Sequence, residues 1–347
     1  MMNESEISRR LPAEWEPQGG VIVSWPHSGT DWAYMLDEVT KCFADIVAAI
    51  AQEQPVVVIT PDKEIAAKHL IDANQDNIIY AELPTNDTWA RDFGPITVTE
   101  GEVPLLLDFG FNGWGLKFAS DKDNLLTKGL VELGVLRARC ENCRGFILEG
   151  GSIESDGRGT LLTTSRCLLS PNRNPEMSRS RIEEYLKAKL GVKQVLWLDH
   201  GHLAGDDTDS HIDTLARLAP HDTIIYVGCN DAADEHYEEL QAMKRQLMEM
   251  RTLDGASYNL IELPMPDAIY DEDGERLPAT YANFLVMNKS VLLPVYGQPM
   301  NDELAAQMLK ISFPDHEIRK IDCRPLIKQH GSLHCVTMQI PNEILPI

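Results

Sequence analysis

The sequence predicts an α/β protein built as a propeller-like array of small sheets. Helical and strand-like runs alternate along its 347 residues. The order strand, strand, helix, strand returns about every 50 to 70 residues, and a period of that length points to an array rather than a doubly wound sheet. Four polar motifs fall at strand ends with similar spacing. The repetition is one of pattern, since no sequence motif recurs.

The elements follow in order. Residues 31–54 read as a helix capped by Thr30 or Asp31, and 55–60 as a short, β-branched, buried strand. Residues 96–99 pair with 105–109, and a helix over 121–133 closes at Gly134. Strands over 152–154 and 159–164 precede a helix with a Ser180-Arg-Ile-Glu183 capping box, which stops at Gly191. Strands at 194–198 and 223–227 follow. The stretch 234–251 places Tyr237, Leu240, Met243, Leu247 and Met250 on one helix face. Residues 284–287 and 291–295 form the last pair. Asn301 caps a final helix that runs to about Ile311, before Pro314.

Composition narrows the function. The chain is 43% hydrophobic and 24% charged, as soluble globular proteins are. Its formal charge of −23 disfavours nucleic acid and anionic membrane surfaces and favours small cations. Seven scattered cysteines make no disulfide framework. The stretch 1–11 is polar and reads as no signal peptide. The longest apolar runs have five or six residues, far short of a membrane span. The expectation is a reduced, cytoplasmic protein. Without a long linker, residues 1–347 are expected to form one catalytic domain of five pseudo-repeats around a central pocket. The sequence leaves homo-oligomerisation open.

The four motifs are 86–95 around Asp92, Leu148-Glu-Gly-Gly-Ser152, 205–213 with His211 and Asp213, and 329–337 with Cys335. With Asn283 added, Asp92, Glu149, Asp213, Asn283 and Cys335 lie 57, 64, 70 and 52 residues apart. In a closed ring, equivalent ends of successive repeats face one axis, so these residues are expected to share one pocket. Three carboxylates, an imidazole and a thiol suit a planar cation. A guanidinium presents its N–H donors in forks that match carboxylates. Its central carbon stays open above the plane to a thiolate. The histidine can protonate departing ammonia and then take a proton from water.

Trp89-Ala-Arg-Asp-Phe-Gly-Pro95, Glu149-Gly-Gly, His211-Ile-Asp213 and His334-Cys335-Val-Thr resemble the agmatine deiminases, of the bacterial peptidyl-arginine deiminase type within the guanidine-modifying superfamily. The likeness runs from Pro12-Ala-Glu-Trp15 to Met338-Gln-Ile-Pro341. It implies a pentein-like, five-bladed α/β propeller of ββαβ units. It also implies cytosolic hydrolysis of agmatine to N-carbamoylputrescine and ammonia without metal or organic cofactor. Carried over by residue, Cys335 is the nucleophile and His211 the general acid and base. Asp92 and Asp213 bind the guanidinium, Glu149 binds it or orients His211, and Trp89 packs on the aliphatic stem. Asn283 lies near the nucleophile. Many relatives have a glycine run before the cysteine, whereas this chain has Lys328-Gln-His-Gly-Ser-Leu-His-Cys with Gly331 alone.

Other features weigh less. Asp206, Asp207 and Asp209 are either a solvated loop or the holders of a distal ammonium, with Asp206 and Asp207 the candidates. Cys140-x-x-Cys143 lacks a second pair and reads as structural. The glycine-rich 109–115 lacks the dinucleotide-binding order and reads as a tight loop at a pocket rim. Arg91 is expected to point away from the pocket if its segment is extended. The rival readings are a peptidyl-arginine deiminase, a zinc hydrolase using His211, Asp213 and Cys335, and a silent polyamine-binding protein.

Overall fold

A computed structural model of the chain describes residues 9–346. They form five separate sheets of three or four strands. One topology recurs: an antiparallel strand pair, then a helix, then a strand that returns parallel to the second. Ile96–Glu100, Val103–Gly110, helix Leu126–Glu132 and Arg139–Ile147 make the first such unit. Ile153–Ser155, Thr160–Thr164, helix Arg179–Leu190 and Gln194–Leu198 make the next. Ala216–Ala219, Thr223–Val227, helix Tyr237–Glu249 and Asn259–Leu263 follow. Leu285–Val286, Ser290–Val295, helix Pro299–Ser312 and Glu317–Asp322 make the fourth.

The fifth sheet joins the two ends of the chain. Thr337–Pro341 lies antiparallel to Gln18–Ser24. Helix Leu36–Ala51 then leads to Val56–Thr60, parallel to Gln18–Ser24, and Ile78–Glu82 extends the sheet. Val56–Thr60 is buried along its whole length, which its unbroken β-branched run requires.

Local chemistry sets the helix limits. Ser178 caps Arg179–Leu190 by accepting from the Arg181 amide, so the cap is Ser178 and not the predicted Ser180 box. The helix buries Ile182, Leu186 and Leu190, and it ends at Gly191 with φ +71°. A Cβ on Gly191 would stand 1.9 Å from the Arg9 carbonyl oxygen, so only glycine fits. The last helix begins at Pro299 after Gln298, which replaces Asn301 as the cap. The stretch predicted as one helix over 31–54 divides into a 3₁₀ turn, Asp31–Met35, and Leu36–Ala51.

Cys140 is exposed and Cys143 buried on Arg139–Ile147, so the pair does not converge. Residues three apart on a strand face opposite sides. Among the described residues no helix is long and apolar enough to cross a membrane. The predicted polar N-terminal stretch lies outside the described residues up to position 8.

Ile340 and Ile22, on the two strands joining the chain ends, are 0% and 1% exposed. Ile340→Ala should therefore cost about 2–5 kcal/mol, as Ile22→Ala should. Urea unfolding midpoints test this. A cost for Ile340→Ala below about 0.5 kcal/mol, as at a surface position, would mean the terminal strand is not integral.

Candidate active site

Each marker residue stands just before the first strand of a sheet. Asp92 lies in the helical turn Ala90–Phe93 ahead of Ile96–Glu100. Glu149 precedes the turn Gly150–Ser152 and strand Ile153–Ser155. His211 and Asp213 flank the start of the turn Ile212–Thr214 before Ala216–Ala219. Asn283 precedes Leu285–Val286, and Cys335 precedes Thr337–Pro341.

These positions converge. The Cys335 thiol sits 3.2 Å from the Asn283 amide nitrogen and 3.7 Å from Asp213 Oδ2. The Asn283 carbonyl oxygen accepts from the His334 and Cys335 amides at 2.9 and 3.3 Å, which fixes the backbone under the thiol. His211 Nε2 lies 3.4 Å from Glu149 Oε2, and Nδ1 lies 3.6 Å from Asp92 Oδ1. Asp92 accepts from the Gly151 amide and from the Trp114 indole, each at 2.9 Å. A Cβ on Gly151 would fall 2.6 Å from His211 Nδ1, 2.8 Å from Asp92 Oδ1 and 3.1 Å from Asp213 Oδ2. The missing side chain is thus what leaves room among these three groups. His211 Nδ1 and Asp213 Oδ1 are buried without a hydrogen-bond partner. Burial without a partner is costly, so both are suited to a ligand that donates or takes a proton there.

A cleft of about 380 Å³ reaches Cys335. Its lining holds Cys335, four carboxylates (Asp31, Asp87, Asp92 and Asp207) and the rings of Trp89, Trp114 and Phe118, with no lysine or arginine. His211, Glu149, Asp213 and Asn283 lie one contact deeper. Gly331, the one glycine kept before the cysteine, has a reason: a Cβ there would stand 2.1 Å from the Trp89 ring. Asp206 does not line the cleft. It accepts from Thr208 and from the Ser210 amide and holds its own loop together, which leaves Asp207 as the acid of that pair facing the cleft.

The predicted rim loop 109–115 does reach the site, through Trp114. Arg91 points away as expected, but by a different cause. Its segment is a helical turn, and the side chain leaves the cleft for Glu14, Gln339 and the Met338 sulfur.

Four residues in the site carried no sequence signal that singled them out. His334 Nδ1 donates to Asp213 Oδ2 at 2.7 Å, and Nε2 lies 2.8 Å from Glu14 Oε1. Arg173 clasps Glu149, with Nε 2.7 Å from Oε2. Cys167 lies 3.7 Å from the same oxygen. Asp87 joins the cleft. His334, beside Cys335, and Asp87, in the stretch 86–95, were within sight of the sequence because they lie in its motifs.

Burial and charge set the protonation. Burial pushes the Cys335 thiol well above its usual value, and Asp213 and Asp92 push it further, so it is protonated in the free protein. Burial acts first on His211 too, lowering it, but Asp92, Cys167 and Glu149 outweigh this and hold it well above the usual histidine range. Burial raises Asp92 to about 6, with Asp213 and Glu149 adding to the rise. Burial would also raise Asp213, yet its bond to His334 and the nearby His211 and Arg217 hold it low.

Among the described residues, groups able to ligate a metal gather as Glu149, Cys167 and His211, and as Glu14, Glu154 and His334. The zinc reading named a different set, and in both observed groups an arginine occupies the carboxylates: Arg173 on Glu149, and Arg217 on Glu14 and Glu154.

A buried thiol at the end of an acidic cleft, with an imidazole held protonated beside it, defines a cysteine-dependent hydrolase for small cations. The family model for Porphyromonas-type peptidyl-arginine deiminase matches residues 10–341, and the chain belongs to that family. An agmatine deiminase of Stutzerimonas stutzeri is 32% identical over 357 residues, covering 95% of each chain. A Porphyromonas gingivalis structure, described provisionally as an arginine deiminase, is 50% identical with a TM-score of 0.93, covering 97% of this chain and 99% of that one. The C. jejuni agmatine deiminase is 38% identical with a TM-score of 0.87 and covers 96% of each. Dimethylarginine dimethylaminohydrolase shares the α/β fold at a TM-score of 0.51 and 12% identity.

Because Asp92 is one of the charges that keep the thiol protonated, Asp92→Asn should speed alkylation of Cys335 at pH 8 by up to about tenfold, one unit of pKa. Peptide mass spectrometry after timed iodoacetamide treatment reads the rate. An unchanged rate would show that Asp92 does not act on the thiol.

Proposed function

We propose that the protein hydrolyses agmatine to N-carbamoylputrescine and ammonia through a covalent bond to Cys335. The lining of the cleft carries this reading. It offers a thiol and four carboxylates and no lysine or arginine. Agmatine bears two positive charges and no carboxylate, whereas arginine brings an anion among four carboxylates with no lysine or arginine in the lining to pair it.

The guanidinium takes Asp92 and Asp213, filling the space left by Gly151. Its charge offsets the carboxylates that hold the thiol protonated, so Cys335 releases its proton to solvent as substrate binds. The thiolate sulfur bonds to the guanidinium carbon. The C–N bond then breaks, and ammonia leaves with the proton of the His211 imidazolium. Neutral His211 next takes a proton from water as the water oxygen attacks the thiouronium carbon. The C–S bond breaks with its electron pair going to sulfur, the remaining hydroxyl proton restores the thiol, and the neutral ureido product forms. Glu149 lies beneath His211 and orients it. Trp89 packs on the tetramethylene stem. Asp87, Asp31 and Asp207 receive the distal ammonium, with Asp206 shaping the loop that carries Asp207.

The five ββαβ sheets are, in this reading, the blades of a propeller closed by the sheet that joins the chain ends. Residues 9–346 then form one domain around the site. The free cysteines and the acidic charge agree with a cytoplasmic enzyme. A peptide substrate would have to bring its flanking chain past the Trp89, Trp114 and Phe118 rings that wall the cleft.

Cys335→Ser should bind agmatine but lose turnover, because a serine hydroxyl is far less ionised than a thiol. His211→Ala should let a thiouronium adduct build up on Cys335, visible by mass spectrometry. Residual activity of more than about 5% in Cys335→Ser would remove the nucleophile from this scheme.

Agmatine should exceed arginine at least about 100-fold in kcat/KM, roughly 3 kcal/mol. Burial pushes Asp87 up to about 7. It ionises as pH rises through that value, so the advantage of agmatine over butylguanidine, which lacks the ammonium, should grow from pH 6 to pH 8. A ratio that stays flat would exclude Asp87 as the ammonium partner, and comparable constants for agmatine and arginine would exclude agmatine as the preferred substrate.

A further inference from the structure

Arg173 takes no part in the reaction described above, yet it is one of the buried arginines near it, with Arg91 and Arg217. Its side chain is 0% exposed, and so is that of Glu149. Nε reaches both Glu149 oxygens, at 3.1 and 2.7 Å. Nη1 meets Asp209 Oδ2 at 2.5 Å, and Nη2 donates to the Thr208 carbonyl at 2.9 Å. One planar guanidinium thus spans two structures. The first is the carboxylate that faces His211 Nε2. The second is the loop 205–210, whose Asp207 and Thr208 line the cleft and whose chain continues directly into His211.

The loop needs such a pin. Asp209 and Ser210 both hold φ +65°, a left-handed conformation that non-glycine residues adopt at a cost. Two consecutive residues stay there only when surrounding bonds impose it. The strand end before Glu149 is fixed from the same short segment. Asn174 accepts from the Ile147 amide at 3.0 Å and donates to its carbonyl at 2.9 Å. Asn172 takes the Asn112 amide through its carbonyl at 2.8 Å, which ties in the loop bearing Trp114. Residues 172–174 therefore brace three walls of one site.

We propose that Arg173 is a positioning residue that sets the catalytic histidine and the ammonium end of the cleft together. It holds Glu149 under His211 through Nε, which reaches both carboxylate oxygens, and through Nη1 and Nη2 it holds Asp209 and Thr208, so that Asp207 faces the substrate tail. A lysine keeps the charge but has no fork to span both. This rests on the agmatine reading for its substrate, but not for its geometry.

The test compares Arg173→Lys, Arg173→Gln and Asp209→Asn with the parent protein. Two readouts are used: the ratio of kcat/KM for agmatine over butylguanidine, and the titration of His211 followed by NMR of labelled histidine. His211 is surrounded by Asp92, Glu149 and Cys167. In Arg173→Gln, burial favours a neutral Glu149, so the His211 midpoint should fall by at least about one unit. Arg173→Lys should lower kcat for both substrates about tenfold or more and cut the agmatine ratio about tenfold. Asp209→Asn, at a partly exposed position, should cut the ratio and leave the His211 titration in place. It tests the loop half even if the arginine variants fail to fold. Loss of thermal stability with the ratio and the titration unchanged would reduce Arg173 to a purely structural role and overturn the proposal. If the parent protein does not turn over agmatine, the substrate reading fails, and the NMR arm alone decides whether Arg173 governs His211.

Discussion

Carboxylates taken out of water must be answered by cations, and the centre of this protein is arranged around that requirement. Asp92, Glu149, Glu154 and Asp213 are all nearly or fully buried. Arg173 answers Glu149, and Arg217 answers Glu154 and Glu14. Asp213 and Glu14 are also within hydrogen-bond reach of the His334 ring. Removing one member of such a set leaves a buried charge without compensation, which costs far more than the pair contributes. Asp92 is answered least. It has a glycine amide, an indole and a histidine 3.6 Å away, and burial raises it to about 6. Of these four acids, Asp92 is the one that lines the cleft, and among the described residues no arginine or lysine bridges to it. The protein keeps its structural acids satisfied and leaves an electrostatic deficit where a cationic ligand enters.

The same arrangement explains why the thiol rests protonated. A nucleophile surrounded by carboxylates is a poor one until a cation arrives. Reactivity is thereby tied to occupancy, and stray electrophiles meet a thiol rather than a thiolate. The free protein is guarded by its own charge.

Much of this was legible in the sequence. Apolar periodicity located the helices that bury one face, such as Tyr237–Glu249 with Leu240, Met243 and Leu247 inside. The even spacing of Asp92, Glu149, Asp213, Asn283 and Cys335 reflects a real feature, since each stands before the first strand of its sheet. Strands such as Gln18–Ser24 and Glu317–Asp322 were missed because glycines or charges interrupt their apolar pattern. Their pairing comes from partners far along the chain. Arg173 was missed for a related reason. Its segment has no periodicity, and its meaning lies in carboxylates 24 and 36 residues away. Asp206 and Asp207 are neighbours of the same type, and only the folded loop decides that one turns inward to bind its own backbone while the other meets the cleft.

The sheet that joins Thr337–Pro341 to Gln18–Ser24 has a bearing on biosynthesis. The thiol is held two residues before the latest of the described strands, and that strand docks on one of the earliest, Gln18–Ser24. A nascent chain can build its other four sheets first, but the cysteine has no fixed place until Thr337–Pro341 has also been made. A transcript cut short anywhere upstream yields a protein without a site, however well the rest has folded. Synthesis thus withholds the reactive group until the acids that restrain it are already assembled.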